Sequence, residues 1–169
     1  MNGTYEIEHK YLIRMPDIEM LAGLPGCVRW KIHQTYLSSE KGVTERVRSI
    51  DQDGSMSWWH TTKKRISALT SDEAEVGIAR EEYDRLLNRA DPGRQTIVKT
   101  RYRIPFRGQL LEVDVYPFWK DRAILEVEVS DEKQAVLFPE WLQVIREVTA
   151  DKRYKNAHLA KNIPMDPIE

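Results

Sequence analysis

Residues 6–10, EIEHK, carry side chains suited to binding a metal ion together with an anion. Successive side chains of a β-strand point to opposite faces, so Glu6, Glu8 and Lys10 would share one face. At a rise of about 3.3 Å per residue, the two carboxylates would lie about 7 Å apart and could hold a hard divalent cation between them. The lysine could then bind an anion that coordinates this cation. The same alternation also fits an ordinary antiparallel strand with one face in water.

Pairs of like-charged side chains, two residues apart, recur along the predicted strands. The acidic pairs are Glu73 and Glu75, Glu112 and Asp114, and Glu126 and Glu128. The basic pairs are Arg46 and Arg48, and Lys99 and Arg101, with Lys10, Lys63 and Arg103 as further cations beside them. An exposed ion pair contributes only about 0 to 1 kcal/mol, so a sheet in water gains little from such rows.

A closed sheet would give these rows a function, because roughly eight strands can enclose a lumen wide enough for one small ligand. The apolar sides of the strands would then face outward, under helices or a partner, at Ile7, Val47, Val98, Val113 and Val127. Charges inside such a lumen must be paired, hydrated or coordinated, which suits a polyanion bound with a divalent metal. Basic side chains would bind phosphoryl oxygens. The chemistry that follows is cleavage of a phosphoanhydride.

Length and composition fit one globular domain spanning residues 1–169, with 41% hydrophobic and 31% charged residues. The formal net charge of −1 gives no general attraction to nucleic acid or to an acidic membrane, so neither partner is expected. Cys27 is the only cysteine, which excludes an internal disulfide and a cysteine-cluster zinc site. The acidic start of the chain and the lack of an apolar stretch of roughly eighteen residues predict a cytoplasmic protein.

Strand-like and helix-like runs alternate with turn signals along the chain. The predicted strands, after the one at the N-terminus, span residues 28–37, 44–50, 56–64, 72–78, 96–106, 110–116 and 123–129. Asp53 and Gly54 predict a tight hairpin turn, and a calcium loop is excluded because its last ligand position would be Thr62. Short helices are predicted at residues 79–90, 132–138 and 154–161, and a short helix or a turn at residues 15–24. Short connections favour an α+β fold, mainly antiparallel β, of about eight strands.

These motifs resemble those of the triphosphate tunnel metalloenzymes, the CYTH superfamily. EIEHK resembles the family's ExExK signature. The segments that follow in the family's order are HQTYL, ERVRS, HTTKK, EAEVGI, VKTRY, LLEVDVY, LEVEV and EVTADKRYKNAHLA. ExExK alone is a weak signal, whereas the ordered set covers most of the chain. The compact bacterial single-domain members are the most similar.

The resemblance implies an eight-stranded antiparallel closed β-barrel, a tunnel open at both ends, with a few short flanking helices. The residues implied to bind Mg²⁺ or Mn²⁺ are Glu6, Glu8, Glu126 and Glu128. The residues implied to bind the triphosphate are Lys10, Arg46, Arg48, Lys63, Lys99 and Arg101, with Glu6, Glu8 and Lys10 as the catalytic residues. Further acidic tunnel positions, whose partner could be metal, water or a neighbouring arginine, match Glu73, Glu75, Glu112 and Asp114. Lys152 could contact phosphate or be a solvated charge.

The activity implied is hydrolysis of inorganic tripolyphosphate, or of a related small-molecule triphosphate, by metal-activated water at the terminal phosphate. Three alternatives stay open: a class IV type adenylyl cyclase, a thiamine triphosphatase, and a non-catalytic binder of polyphosphate or nucleotide. The many carboxylates argue against the last. A homodimer also stays open. His9 faces away from the lumen by parity and is expected at the surface or in an interface rather than in catalysis.

Overall fold

Nine antiparallel strands and three short α-helices make up residues 4–168, the part of the chain that the computed structural model describes. The strands are β1 Thr4–Arg14, β2 Val28–Leu37, β3 Val43–Gln52, β4 Ser55–Arg65, β5 Thr70–Ile78, β6 Ile97–Phe106, β7 Gln109–Val115, β8 Arg122–Glu128 and β9 Val144–Glu147. The helices are α1 Ile18–Ala22, α2 Arg80–Leu86 and α3 Asn156–Leu159. Short 3₁₀ turns follow α2 at Leu87–Arg89 and precede α3 at Lys152–Tyr154.

Eight of the strands close into a barrel, which confirms the predicted fold class. Their order is β5-β4-β3-β2-β6-β7-β8-β1, and β1 returns to pair with β5, with Glu6 opposite Ser71. The ninth strand, β9, pairs with β1 at Tyr11 and Leu12, beyond the part of β1 that pairs with β5. The sequence did not predict β9.

Tight turns fix the register of neighbouring strands. Between β3 and β4, Asp53 and Gly54 both have positive φ, at 52° and 87°, as a two-residue hairpin turn requires. The Asp51 side chain accepts a hydrogen bond from the Gly54 amide at 2.8 Å, so its carboxylate stabilises the turn. The hairpin prediction is therefore confirmed. The β6–β7 turn uses the same backbone conformations at Arg107 and Gly108.

The main apolar cores lie outside the barrel, on the outer faces of the strands. Val113 and Val127 are fully buried there, whereas Val98 is 43% exposed and lacks the cover predicted for it. A further apolar cluster lies at the end of the barrel at which β1 ends. In that cluster the C-terminal residues Tyr154 and Leu159 pack with Leu12 of β1 and Ile124 of β8, each two residues from a charged side chain of the inner face. The charged inner faces are thus held between apolar layers.

The helices are shorter than the sequence predicted. The predicted helix at 15–24 is α1, which begins after the capping side chain of Asp17, and α2 with its 3₁₀ turn lies within 79–90. The helix predicted at 132–138 is wrong, because side chains satisfy its backbone locally: Asp131 accepts from the Lys133 amide at 2.7 Å. Within 154–161 only α3 is α-helical.

Among residues 4–168, none of the helices combines the length and the apolar character that crossing a membrane would require.

Candidate active site

The inner faces of the barrel strands line a polar cavity of about 290 Å³, which we call the tunnel. The predicted site residues that line it are Glu6, Glu8, Lys10, Arg46, Arg48, Lys63, Glu73, Glu75, Lys99, Arg101, Glu112, Glu126 and Glu128. The remaining predicted residue, Asp114, is fully buried behind the lining. The structure therefore brings together side chains from β1, β3, β4, β5, β6, β7 and β8.

Strand register explains how these side chains come to face one another. In the β1–β8 pair, Glu8 lies opposite Glu128 and Lys10 lies opposite Glu126. Directly paired residues of antiparallel strands project to the same face, so each pair shares the lumen. The next pair along the barrel places Glu112 of β7 opposite Glu126. An acidic group thus occupies one side of the tunnel, from β1 through β8 to β7.

Asp114 is the buried counter-ion of two cations. Its carboxylate accepts from Arg101 Nε at 2.7 Å and Nη2 at 2.9 Å, and from Lys99 Nζ at 2.9 Å. Burial acts against ionisation of this carboxyl group, but Arg101 and Lys99 keep its pKa below the ordinary value. Burial in turn lowers the pKa of Lys99 to about 8 despite Asp114. The partner of this tunnel acid is therefore an arginine and a lysine.

The other tunnel acids whose partners the sequence left open also pair with cations. Glu112 accepts from Arg103 Nε at 3.0 Å, and Glu75 accepts from Arg48 Nη2 at 2.9 Å. Glu73 lies 3.5 Å from Lys63. These carboxylates fix the direction of the basic side chains. Arg46 and Arg48 each have a buried Nε without a hydrogen-bond partner in the described structure, and both side chains line the tunnel.

The acidic side of the tunnel is short of positive charge at Glu8 and Glu128. Burial, reinforced by Glu126 and Glu6, raises the pKa of Glu8 well above its ordinary value. Burial and the nearby Glu6 also raise the pKa of Glu128. Glu126 is different, because Lys10 and Arg101 outweigh its burial and lower its pKa. A cation placed near Glu8 would relieve this repulsion.

The carboxylates of the tunnel can supply some, but not all, of the ligands of a hard divalent ion. Carboxylate oxygens are the ligands that Mg²⁺ and Mn²⁺ prefer. Across residues 4–168, no three His, Cys, Asp or Glu side chains converge closely enough to hold an ion by themselves. Mg²⁺ usually takes one or two carboxylates, with water and substrate phosphates as its other ligands. The arrangement therefore fits an ion that arrives with a phosphorylated ligand.

Lys155 is a tunnel residue that the sequence analysis missed. It lines the tunnel together with Asn156, whereas Lys152, which the sequence singled out, lines a neighbouring cavity. Burial and the nearby cations Arg65 and Lys10 lower the pKa of Lys155 to about 8. The sequence DKRYKN contains both Lys152 and Lys155, and only the path of the turn before α3 decides which of the two side chains points into the tunnel.

His9 lies on the outer face of β1, as its parity predicted. Its Nδ1 is 2.8 Å from the carboxylate of Glu147 on β9, and its ring stacks near Tyr11. It does not line the tunnel. The Thr149 hydroxyl accepts from the backbone amide of Lys10 at 2.9 Å, so the segment after β9 also holds β1 in place.

Comparisons with known proteins agree with this architecture. No family model matches the chain. It is 36% identical over 166 residues to an inorganic triphosphatase of Nitrosomonas europaea, covering 94% of this chain and 99% of the relative. It is 31% identical over 159 residues to an inorganic triphosphatase of Acetivibrio thermocellus, covering 93% and 94%. A crystal structure of an inorganic triphosphatase matches with a TM-score of 0.56 and 31% identity, over 94% of this chain and 96% of that one.

A closed antiparallel barrel, with acidic and basic side chains facing one another in its lumen, defines the triphosphate tunnel fold. The chain belongs to the triphosphate tunnel metalloenzyme, or CYTH, family.

Proposed function

We propose that this protein is a divalent-metal-dependent inorganic triphosphatase, which hydrolyses tripolyphosphate to pyrophosphate and orthophosphate. The observation that carries the proposal is the tunnel, in which Arg46 and Arg48 accompany acidic side chains, and in which burial and the neighbouring carboxylates raise the pKa of Glu8. The names of the two relatives support the same reaction.

Basic side chains bind the triphosphate in this proposal. They are Lys10, Arg46, Arg48, Lys63, Lys99 and Arg101, all of which line the tunnel. Guanidinium groups bind phosphoryl oxygens through paired donors, and lysines add charge without that directional fork. The carboxylates that hold these cations, such as Glu75 on Arg48, keep the donors pointed at the lumen before a ligand arrives. Such preorganisation favours the transition state over the free substrate.

The metal ion, Mg²⁺ or Mn²⁺, would be held by Glu6, Glu8, Glu126 and Glu128. When bound, it supplies positive charge for the phosphate oxygens and polarises water. Burial and the neighbouring carboxylates Glu126 and Glu6 raise the pKa of Glu8, and a divalent ion held beside it would favour the ionised carboxylate that binds the metal. Lys10, 3.8 Å from Glu126 and hydrogen-bonded to the Tyr154 carbonyl, positions the terminal phosphate.

Phosphate release tests the proposal directly. The purified protein is incubated with tripolyphosphate, thiamine triphosphate or ATP, each with Mg²⁺, Mn²⁺ or EDTA. Lys10→Ala and Arg48→Ala should mainly raise KM, whereas Glu6→Gln and Glu8→Gln should abolish metal-dependent turnover. Unaltered phosphate release in both sets of variants would remove the assignment. Formation of cyclic AMP from ATP, in place of free phosphate, would favour a cyclase instead.

We further propose that residues 1–169 act as one tunnel domain in the cytoplasm on a small-molecule substrate. The lone Cys27, which leaves no internal disulfide, supports that location.

A further inference from the structure

Asn156, the first residue of α3, is a polar side chain of the tunnel wall that carries no charge. It lines the tunnel beside Lys155, and the residue is only 8% exposed. The turn before it contacts Lys10, because the Tyr154 carbonyl accepts from Lys10 Nζ at 3.4 Å. Asn156 therefore belongs to the part of the tunnel at which the C-terminal segment meets Lys10.

Tyr116 fixes the orientation of the Asn156 amide. The Tyr116 hydroxyl donates to Asn156 Oδ1 at 2.6 Å, and Tyr116 is almost fully buried. Its ring packs against two further aromatic rings, whose centroids lie 5.1 and 5.5 Å away, so the hydroxyl has little freedom to move. Burial, with Asp114 and Glu126 nearby, raises the pKa of Tyr116 well above its ordinary value. The hydroxyl therefore keeps its hydrogen at neutral pH and remains a donor to Asn156.

The NH₂ group of Asn156 is accessible from the tunnel. An amide side chain whose oxygen accepts from Tyr116 directs its NH₂ group away from that hydroxyl. In the described part of the chain, Asn156 Nδ2 makes no hydrogen bond, yet it is not among the buried atoms that lack a partner. Part of its surface is therefore accessible, and the cavity that Asn156 lines is the space next to it. The tunnel wall thus contains a neutral donor held in a fixed direction.

We propose that Asn156 is a further substrate-binding residue, whose Nδ2 donates to a phosphoryl oxygen of the triphosphate, and that Tyr116 is the residue that positions it. The proposal rests on the proposed function, because it takes the tunnel as the binding site of the triphosphate. A hydrogen bond from a neutral N–H group to an anionic oxygen is stronger than one between two neutral groups. Asn156 thus adds to the binding of the triphosphate without placing another cation among the basic side chains.

A neutral donor differs from the neighbouring lysines in its response to pH. Lys99 Nζ lies 5.8 Å from the centroid of the Tyr116 ring, and Lys155 directly precedes Asn156. Burial lowers the pKa of both lysines to about 8, so they lose their charge as the pH rises. The side-chain amide of Asn156 does not titrate in this range and remains a donor. Asn156 can therefore hold a phosphoryl oxygen at pH values at which these two lysines are neutral.

Asn156→Asp separates substrate binding from a purely structural link to Tyr116. Asp keeps an oxygen that accepts from Tyr116, but it replaces the NH₂ donor by a second carboxylate oxygen, which repels phosphate. We expect the dissociation constant of tripolyphosphate, measured by calorimetry in EDTA, to rise at least about tenfold in this variant and about tenfold in Asn156→Ala. Asn162→Asp makes the same change of charge at an exposed residue outside the tunnel and should leave the constant unchanged. Wild-type affinity in Asn156→Ala overturns the proposal.

Tyr116→Phe tests the positioning role, because it removes the hydroxyl and keeps the ring. It should weaken binding of tripolyphosphate severalfold in the wild-type background and cause no further loss when it is added to Asn156→Ala, since Tyr116 acts through Asn156. Equal losses in both backgrounds overturn the positioning role.

These measurements separate the proposal from the proposed function. Calorimetry in EDTA needs no turnover, so weaker binding by the Asn156 variants supports the contact even if tripolyphosphate is not cleaved. Absence of phosphate release from tripolyphosphate under every divalent ion overturns the triphosphatase assignment alone.

Discussion

Replacing Asp114 by Asn tests whether this residue serves as a buried counter-ion. Asp114 is fully buried and accepts three hydrogen bonds from Arg101 and Lys99, at 2.7 to 2.9 Å. Removing one partner from a buried ion pair typically costs about 3–5 kcal/mol of unfolding free energy. Asn keeps one acceptor oxygen, and Arg101 retains weaker contacts to Glu112 and Glu126 at 3.3 and 3.4 Å. We therefore expect the lower end, about 3 kcal/mol.

The two cations should respond differently to the loss of the carboxylate. The pKa of Lys99 is already lowered to about 8 by burial, so releasing its proton at pH 7 costs only about 1 kcal/mol. Arg101 cannot lose its proton, and the uncompensated charge therefore stays with the guanidinium. As pH rises through about 8, Lys99 becomes neutral in the wild type as well. The destabilisation should accordingly be smaller at pH 9 than at pH 7.

Thermal and urea unfolding at both pH values measure this effect. A loss of about 3 kcal/mol should lower the midpoint by about 6–12 °C for a domain of this size. Asp166→Asn, which removes an exposed pair with Arg153, is the matched control and should leave the midpoint essentially unchanged. If the Asp114→Asn protein unfolds at the wild-type midpoint, Asp114 is not the counter-ion that stabilises these buried cations.

Three further predictions concern the tunnel. Arg48→Lys should raise KM for tripolyphosphate about tenfold with little change in the unfolding midpoint, because lysine keeps the charge but lacks the paired N–H donors of a guanidinium. An unchanged KM would contradict the role of Arg48 in binding the substrate. Glu128→Gln should raise the Mg²⁺ or Mn²⁺ concentration for half-maximal turnover about tenfold or more. Identical metal titrations of the variant and the wild type would contradict the proposal that Glu128 binds the metal ion. Protonated lysines bind the anion, and burial sets the pKa values of Lys99 and Lys155 to about 8, so kcat/KM should fall as pH rises through about 8. Lys155→Arg should make this fall less steep, since the guanidinium stays charged; an identical profile would refute the involvement of Lys155.

Alternation in the sequence predicted which face of each strand a residue occupies. Glu6, Glu8 and Lys10 share the lumen, and His9 lies outside, because side-chain direction follows parity alone. The position of each side chain along the barrel axis could not be predicted from this alternation. Asp114 and Glu112 share one face of β7, yet only Glu112 lines the tunnel, because the stagger of the neighbouring strands sets the level of each side chain.

Short elements without a strong pattern also escaped prediction. β9 has only four residues, Val144–Glu147, and takes its strand conformation from pairing with β1. The segment 132–138 has helix-forming residues, but local side-chain hydrogen bonds and Pro139 favour an irregular path. The inward direction of Lys155 depends on the extended backbone between the 3₁₀ turn and α3. The strand conformation of β9 arises from a tertiary contact and the other two features arise from local hydrogen bonds and backbone conformation, and hydrophobic periodicity reports neither cause.

Charged side chains face the inside of the barrel and apolar side chains face its outside, so mutations at neighbouring residues of one strand should have different effects. Along β1, the side chains of Tyr11 and Ile13 pack into the outer apolar core, while Glu8 and Lys10 face the lumen. A substitution scan of residues 6–11 should therefore alternate, with catalytic defects at Glu6, Glu8 and Lys10 and a folding defect at Tyr11, whereas Leu12, which packs in the apolar cluster at the end of the barrel, should again affect folding. Selection for stability and selection for activity can then act on adjacent codons with little interference.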